Sequence, residues 1–270
     1  MRDLAGLEAH LDHMGRVLLG FSGGVDSSVL AVIGTRILGP SRFLALTGES
    51  ASYPAAQWRA AHALAEQFGI PVRVAATGEL DDPSYRANRP DRCYFCKREL
   101  WSTASDIARE EGFDTVIDGT NADDLGEHRP GLRAAAEHGV RSPLAELGWT
   151  KGDVRAGAQR LGLPIWDAPA SPCLSSRIRY GLEVTPARLA QVEEAEALLR
   201  RLGVRGDLRV RHLGDRASVE VRSDEFALVD SCWTTVEAGL RALGFDAVDR
   251  DARGYRRGGL LSLAGAEPLA

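Results

Sequence analysis

Residues 16–34 read RVLLGFSGGVDSSVLAVIG and place a turn of glycine and hydroxyl residues between an apolar strand and an apolar helix. Glycine lets backbone N–H groups approach phosphate oxygens closely, and the start of a helix adds partial positive charge. The turn therefore predicts an anion-binding site, called the phosphate loop below. Its candidate ligand-binding residues are Ser22, Gly23, Gly24, Asp26, Ser27 and Ser28.

This stretch does not fit the two most familiar phosphate motifs. No Gly-Lys-Ser/Thr follows, as a Walker A loop requires, and the glycine spacing is not that of the dinucleotide fingerprint. The alternative interpretation is a tight strand–helix turn in which Ser27 caps the helix. The coincidence of strand, glycines, hydroxyls and an acid favours ligand binding.

The surrounding sequence alternates short apolar runs with amphipathic helices as far as Pro172. Such alternation predicts an α/β domain whose parallel sheet is covered by helices on both faces. Helices are expected over 53–69, ending at Gly69, and over 149–164, with Thr150 as N-cap and Asp153 three residues later. The four predicted strands are RVLLGF (16–21), RFLALTG (42–48), PVRVAAT (71–77) and DTVIDGT (114–120).

The pattern changes after the proline-rich residues 167–173, DAPASPC. A charged helix is expected over 186–202, followed by a hairpin over 208–222 with a Gly-Asp turn. A second helix from about Ser223 to Leu243 and a short final strand complete a small α+β unit. The sequence thus predicts a large α/β first domain, 1–182, and a small α+β second domain, 183–270.

Two segments outside the phosphate loop carry polar residues that suit a nucleotide. Residues 118–124, DGTNADD, follow a predicted strand, so Asn121, Asp123 and Asp124 are expected at the carboxyl end of the sheet, where ligands bind. Asn and Asp are also common in plain turns, which is the alternative. Lys151 begins a predicted helix, where a cation is unfavourable unless an anion is near. We therefore predict a phosphate contact for Lys151; the alternative is a solvated lysine.

Charge and hydropathy limit the possible partners and location. The 270 residues carry a formal net charge of −5, so no global attraction to nucleic acid is expected. Charged residues precede the first apolar run, and no stretch approaches the roughly eighteen apolar residues that a membrane span needs. The sequence predicts a cytoplasmic protein that binds neither nucleic acid nor membranes.

The cysteines raise a separate question. Cys93 and Cys96 in CYFCK have metal-ligand spacing, but a second such pair is absent from the sequence, whose other cysteines are Cys173 and Cys232. The pair could be ordinary thiols, or part of a zinc site completed by Cys173 and a histidine. Cys232 lies in a predicted helix and is interpreted as a core residue, since a thiol behaves as a small hydrophobe.

The phosphate loop resembles the SGGxDS loop of the PP-loop ATP pyrophosphatases, which adenylate a substrate and release pyrophosphate. An ordered set of motifs resembles, more narrowly, the LarE-type sulfur transferases of nickel-pincer nucleotide biosynthesis. The set is FSGGVDSS, DGTNADDLGEHRPG, SPLAELGWTK, PASPCLSSRI and LRVRH, and it spans nearly the whole chain. The resemblance implies ATP and Mg²⁺ as cofactors, a pyridinium biscarboxylate mononucleotide as substrate, and a homo-oligomer.

The same resemblance implies roles for the remaining candidates. Cys173 matches the cysteine that one branch sacrifices as sulfur donor, and Cys93, Cys96 and Cys173 match the three ligands of a [4Fe–4S] cluster in another branch. A cluster held by three thiolates keeps one iron open for a sulfide. The resemblance also implies that Asp26 and Cys173 are catalytic. It assigns substrate contacts to Arg209 and Arg211, which share a strand face; proximity to Cys173 adds Ser175 and Arg177.

Two other functions are compatible with parts of this pattern. A tRNA-thiolating PP-loop enzyme also combines the ATP loop with cysteines, but the acidic balance and scarcity of lysine disfavour an RNA-binding surface. A non-catalytic nucleotide-binding module would explain the phosphate loop alone. It would not explain the cysteines or the arginine pair, which could otherwise be two solvated surface residues.

Overall fold

The computed structural model describes residues 2–126, 130–169 and 171–256. Its strands are β1 (Val17–Gly20), β2 (Phe43–Glu49), β3 (Val72–Ala76), β4 (Thr115–Ile117), β5 (Leu208–His212), β6 (Arg216–Val221) and β7 (Ala247–Arg250). Its α-helices are α1 (Leu4–Asp12), α2 (Val25–Leu38), α3 (Ala55–Phe68), α4 (Pro83–Arg86), α5 (Arg92–Glu111), α6 (Pro130–Glu137), α7 (Pro143–Glu146), α8 (Lys151–Arg160), α9 (Pro186–Arg201), α10 (Phe226–Ser231) and α11 (Trp233–Ala242).

The chain divides into two compact units. The first unit comprises Met1–Glu79 and Asp91–Ser171, and the second comprises Leu80–Pro90 and Pro172–Ala270. The domain limits expected at 182 and 183 stay a prediction. Residues 127–129, 170 and 257–270, which belong to the quoted motifs or to the end of the expected second domain, lie outside the described residues. Across the described ranges, no helix is both long enough and apolar enough to cross a membrane.

The first unit contains a parallel four-stranded sheet in the order β3-β2-β1-β4, as the alternating pattern predicts. Its central strands are buried on both faces, which explains their continuous apolar runs. Leu18 of β1 packs in a cluster with Trp101 of α5. Its neighbour Leu19 points to the opposite face and joins a cluster with Leu11 of α1 and Val29 of α2.

The strand order determines where a ligand can bind. From β1 the chain proceeds to β2 and β3 on one side, and β4 then returns to the other side of β1. The carboxyl ends of β1 and β4 therefore flank a topological switch point, the place where open α/β sheets bind ligands. The phosphate loop follows β1 and the DGTNADD segment follows β4, so both predicted ligand segments lie at this edge.

Helix ends in the first unit follow the expected local signals. Gly69 ends α3 in the left-handed conformation, with φ of 64°. The hydroxyl of Thr150 accepts a hydrogen bond from the backbone of Asp153, whose side chain bonds back to the Thr150 backbone. This capping box confirms the predicted start of α8 at Lys151.

The second unit contains the sheet β5-β6-β7, in which β5 and β6 form the predicted antiparallel hairpin and β7 runs parallel to β6. The single helix expected from Ser223 to Leu243 is wrong. The backbone leaves helical geometry at Cys232, with φ of −113° and ψ of 16°, which separates α10 from α11. Cys232 is half-buried against this unit's apolar core, in agreement with its interpretation as a core residue.

Candidate functional site

The phosphate loop connects β1 to α2 in a conformation that requires glycine. Gly23 has φ of 67°, and a Cβ at this position would lie 2.4 Å from the Cβ of Ala61 on α3. The carbonyl oxygen of Ser22 accepts hydrogen bonds from Tyr53 Oη at 2.8 Å and from Gln57 Nε2 at 3.1 Å. Burial raises the pKa of Tyr53 to about 12, so its hydroxyl remains a donor. The loop is therefore held from one side by α3 and the segment before it.

The hydroxyls of the loop shape it from within. Ser27 Oγ donates to the Gly24 carbonyl at 3.1 Å, and the Ser22 N–H points to Ser27 Oγ at 3.4 Å. Ser28 is fully buried, and its hydroxyl has no hydrogen-bond partner among the described residues. An unpaired buried hydroxyl at a helix start fits a site whose anion would accept the missing bond.

Asp26, at the start of α2, joins the three predicted ligand segments. Its Oδ1 accepts from Asn121 Nδ2 at 3.1 Å, and its Oδ2 lies 2.5 Å from Lys151 Nζ. The Lys151 backbone N–H in turn donates to Asp123 Oδ2 at 2.8 Å. Lys151 thus has an anionic partner, Asp26, and the structure brings Asp26, Asn121 and Lys151 together; the phosphate contact of Lys151 stays a prediction.

The segment after β4 is folded by its own side chains. Asn121 is buried, and its backbone N–H donates to Asp124 Oδ2 at 3.1 Å while its Oδ1 accepts from the Asp123 N–H. These bonds keep two carboxylates beside the phosphate loop. Carboxylate oxygens are the ligands that Mg²⁺ prefers, so the donor set fits the metal that accompanies ATP.

Sequence reasoning missed Gly119, Tyr53 and Gln57. A Cβ on Gly119 would lie 2.9 Å from the Ser27 backbone nitrogen, so only glycine lets the end of β4 approach the start of α2 this closely. The glycine in DGT after a predicted strand is a signal that could have identified it. No comparable signal marks Tyr53 or Gln57, because their role depends on the fold that brings them to the Ser22 carbonyl.

The cysteine pair lies near the beginning of α5 in the first unit. Cys93 is exposed and Cys96 is half-buried, and residues three apart on a helix share one face. Within the described ranges no cysteine forms a disulfide bond. The part of the chain that the structure describes contains no group of three or more His, Cys, Asp or Glu side chains arranged to hold a metal ion.

Cys173 belongs to the second unit, where it precedes a 3₁₀ turn, Leu174–Arg177, and is half-buried. Arg177 holds this turn: its Nη1 donates to the carbonyls of Pro172 at 2.6 Å and Cys173 at 3.0 Å. The Nε and Nη2 atoms of Arg177 bind both carboxylate oxygens of Glu196. Arg177 is 2% exposed, and its hydrogen bonds to the Pro172 and Cys173 carbonyls position the Cys173 turn. A contact between Arg177 and the substrate stays a prediction.

Arg209 and Arg211 lie on one face of β5, as the alternation predicts, and both are buried rather than solvated. Arg211 pairs with the buried Glu220 at 2.8 Å and donates to the Ser176 carbonyl at 2.9 Å. Arg209 donates to the Leu208 carbonyl at 2.6 Å, and its guanidinium lies 5.3 Å from the centre of the Tyr255 ring. Burial and the neighbouring Arg177 cation lower the pKa of Arg209.

The charges of this network do not cancel. Arg177 pairs with Glu196 and Arg211 with Glu220, and within the described part of the chain no carboxylate forms an ion pair with Arg209, whose cation is therefore in excess there. A buried cation in excess is costly unless an anion compensates it. The network therefore fits an anionic substrate group. The predicted substrate residue Ser175 is fully buried, and its hydroxyl lies 2.6 Å from Tyr85 Oη, so its substrate contact stays a prediction.

Next to this network, His212 is expected to make stability dependent on pH. Its Nε2 bonds to Gln191 Oε1 at 3.0 Å and its Nδ1 to the Gly214 N–H, which together favour the neutral ring. Burial, with a contribution from Arg188, lowers the pKa of His212 to about 4. The unfolded chain therefore binds more protons between about pH 4 and 6.5, and stability falls as pH falls through that window.

The expected loss from His212 is up to about 3 kcal/mol of unfolding free energy between pH 6.5 and 4. Chemical denaturation across this range, followed by a probe of the second unit, measures it. A His212→Gln protein should lose this part of the pH dependence because glutamine does not titrate. An unchanged acid slope in that variant would show that the destabilisation comes from other groups.

Comparison with known proteins agrees with the geometry. The NAD synthase family model matches residues 6–88, which include the phosphate loop. The pyridinium-3,5-bisthiocarboxylic acid mononucleotide synthase of Lactiplantibacillus plantarum is 37% identical over 94% of this chain and 92% of that protein. The chain belongs to the LarE family of ATP-dependent sulfurtransferases. This confirms the resemblance that the ordered motifs indicated.

Two further relatives of the LarE-family chain are uncharacterised proteins. One, from Synechocystis sp., is 41% identical over 95% of this chain and 96% of that protein. The other, from Methanocaldococcus jannaschii, is 30% identical over 77% of this chain and 79% of that protein. Both matches extend well beyond residues 6–88, so the similarity includes more than the phosphate-loop region.

Proposed function

We propose that this protein adenylates the carboxylates of pyridinium-3,5-biscarboxylic acid mononucleotide and converts them to thiocarboxylates. Similarity to the L. plantarum synthase over nearly the full length of both chains carries the choice of substrate. The cluster of Asp26, Asn121 and Lys151 beside the phosphate loop supports the use of ATP in the first step.

The first step is attack of a substrate carboxylate oxygen on the α-phosphorus of ATP. The bond from that phosphorus to pyrophosphate breaks, which yields an acyl adenylate and free pyrophosphate. The N–H groups at the start of α2 would bind phosphate oxygens, and Lys151 would add a positive charge. Mg²⁺ would neutralise phosphate charge, with Asp26 and Asp124 as its proposed carboxylate ligands.

Sulfur then replaces AMP at the acyl carbon, and Cys173 is one candidate donor. Its thiolate attacks the acyl carbon and AMP leaves, which gives a thioester. When the Cα of Cys173 loses its proton, the Cβ–S bond breaks, and the products are the thiocarboxylate and a dehydroalanine at position 173. In this route each chain supplies one sulfur atom.

The other candidate donor is a [4Fe–4S] cluster, which we propose is held by Cys93, Cys96 and Cys173. The donor chemistry fits: two accessible thiols share one face of α5, and the thiol of Cys173 is half-buried rather than sealed in the core. Such a cluster supplies an iron without a protein ligand, where a transferable sulfide can bind. This assignment gives the paired cysteines a task, which the sacrificial route does not.

We propose that the buried arginines bind the phosphate of the mononucleotide. Replacing Arg209 by alanine is expected to raise the KM for the mononucleotide about ten- to hundred-fold, because a hydrogen bond to a charged group is worth about 1.5–3 kcal/mol. The KM for ATP should change little. Arg209 is preferable to Arg211 for this test, since removing Arg211 would leave the buried Glu220 without its cation.

Steady-state kinetics of pyrophosphate release measure both KM values for the Arg209 variant. The matched control is Arg222→Ala, which removes the same charge from an exposed residue of the same unit that pairs with Asp224. Its KM for the mononucleotide should equal that of the wild type. Equal substrate affinity in the Arg209→Ala protein would exclude this residue from the phosphate site.

The function itself is tested with purified protein, MgATP and the biscarboxylate mononucleotide. The proposal requires pyrophosphate release that depends on the mononucleotide, together with a thiocarboxylate product identified by mass spectrometry. Release that depends instead on tRNA would favour the tRNA-thiolating alternative, and binding of ATP without turnover would favour the non-catalytic module.

We also propose that the protein is cytoplasmic, forms a homo-oligomer, and binds neither nucleic acid nor membranes. Light scattering of the purified protein tests the oligomeric state.

A further inference from the structure

The segment Leu80–Pro90, called the anchoring segment below, is the part of the second unit that is separated in sequence from the rest. It contains the short helix α4, whose start is capped by Asp82 through a 2.7 Å bond from the Ser84 N–H. Two of its side chains, Tyr85 and Asn88, are buried, at 1% and 0% exposure. Both reach the loop that follows Cys173.

Asn88 holds the distal part of that loop. Its Nδ2 lies 3.2 Å from the carbonyl oxygen of Ile178 and 2.9 Å from those of Arg179 and Leu182. The backbone carbonyl of Asn88 accepts a hydrogen bond from the Gly181 N–H at 3.1 Å. Asn88 has φ of 51°, a left-handed conformation that asparagine tolerates better than most residues. The two N–H donors of one side chain thus lie within hydrogen-bond distance of three loop carbonyls.

Tyr85 holds the proximal part of the same loop. Its hydroxyl lies 2.6 Å from Ser175 Oγ, two residues after Cys173, and both residues are buried. The Ser175 carbonyl accepts from the Ile178 N–H at 3.1 Å, and the Cys173 carbonyl accepts from the Ser176 N–H at 3.0 Å. The bond of Tyr85 lies within the 3₁₀ turn and those of Asn88 lie after it, so together they limit the movement of the loop that follows Cys173.

We propose that Tyr85 and Asn88 are positioning residues that hold Cys173 in place for sulfur transfer. The inference rests on the proposed function, in which Cys173 acts as nucleophile or as cluster ligand. Either role requires its sulfur to be held at a defined place, since reacting atoms must meet within about 3–3.5 Å. Ser175 then serves this task by binding Tyr85, in place of the substrate contact suggested by its nearness to Cys173.

Adenylation is expected not to depend on the anchoring segment. The phosphate loop is held by a different tyrosine, Tyr53 of the first unit, whose Oη donates to the Ser22 carbonyl at 2.8 Å. Tyr53→Phe and Tyr85→Phe therefore each remove a tyrosine hydroxyl that bonds to a loop. The loop is the phosphate loop for Tyr53 and the loop after Cys173 for Tyr85. The first should impair pyrophosphate release, and the second should impair the step that follows it.

The test is a single turnover of the full-length protein, prepared without oxygen, with MgATP and the biscarboxylate mononucleotide. Pyrophosphate and thiocarboxylate are quantified in the wild type, Tyr85→Phe, Ser175→Ala and the double variant. The two single variants should each lower thiocarboxylate formed per pyrophosphate about three- to ten-fold, the value of one neutral hydrogen bond. The double variant should be no worse than either, because both changes break one bond.

The control variant Tyr53→Phe should slow pyrophosphate release while the ratio of thiocarboxylate to pyrophosphate stays at the wild-type value. Asn88→Gly keeps the left-handed backbone, removes the amide, and should lower the ratio as Tyr85→Phe does. A wild-type ratio in both Tyr85→Phe and Asn88→Gly would overturn the proposal. So would a raised KM for the mononucleotide in Ser175→Ala alone, which would make Ser175 a substrate ligand. If the wild type released no mononucleotide-dependent pyrophosphate, the proposed function itself would fail.

Discussion

An Asp26→Asn protein is expected to release pyrophosphate about a hundred-fold more slowly than the wild type, or slower still. The substitution keeps the size of the side chain but removes the charge that binds Lys151 and, by our proposal, Mg²⁺. It also weakens the contact with Asn121, which comes from the neighbouring strand end. Three ligand segments converge on this carboxylate, so the loss should affect the chemical step rather than substrate binding alone.

Initial rates of pyrophosphate release at saturating MgATP and mononucleotide measure the effect of Asp26→Asn. The matched control is Asp153→Asn, which removes the same charge two residues from Lys151 and affects the capping box of α8 and a hydrogen bond from the Arg2 backbone N–H. This control should keep a rate near that of the wild type and lose some stability. Pyrophosphate release at the wild-type rate in Asp26→Asn would show that the ATP site lies elsewhere.

The sequence was sufficient for the features that depend on local signals. Apolar runs and glycines identify β1, the phosphate loop and α2, because strand period, turn chemistry and helix start are encoded within a few neighbouring residues. The capping residues Thr150 and Asp153 located α8 for the same reason. The convergence of Asp26 with Asn121 then follows from the rule that ligands gather at the carboxyl ends of parallel strands.

The sequence was not sufficient where a residue's role depends on a distant partner. The hydroxyl of Ser175 meets Tyr85, ninety residues earlier in the chain, a partner that its position two residues after Cys173 does not indicate. Arg177 could not be recognised as a support for the Cys173 turn without knowing that Glu196 lies within reach. The sequence also could not predict that Leu80–Pro90 belongs to the second unit, because contacts between residues far apart in the chain produce no periodic pattern in a single sequence.

The local signals also failed at Cys232. The apolar spacing around it continues through the region expected to be one helix, but the backbone leaves helical geometry at this residue and a new helix begins at Trp233. Packing of Val229 and Val236 into the same core is compatible with two short helices as well as with one long helix. Periodicity alone does not distinguish these arrangements, since both keep the apolar residues on the core side.

Replacing Cys93 or Cys96 by serine is expected to abolish sulfur transfer and lower bound iron, while mononucleotide-dependent pyrophosphate release persists. The reason is that a cluster held by three thiolates cannot be retained when one ligand is lost, whereas the phosphate loop is untouched. Iron and labile-sulfide analysis of anaerobically purified protein measures the first effect. The matched control, Cys232→Ser, removes a half-buried thiol that packs against the core of the second unit and donates to the Leu228 carbonyl, and it should keep both activities.

The mass of Cys173 after turnover separates the two sulfur donors. If the cluster supplies the sulfide, Cys173 survives as cysteine, because its sulfur remains a ligand. If Cys173 is sacrificed, its Cβ–S bond breaks and the chain loses about 34 Da as the residue becomes dehydroalanine. Peptide mass spectrometry of the fragment that contains position 173 distinguishes these outcomes. We expect intact Cys173, since the sacrificial route leaves the paired thiols on α5 without a task. Dehydroalanine at this position, with full sulfur transfer in a Cys93→Ser, Cys96→Ser protein, would defeat the cluster assignment and make Cys173 the sulfur source.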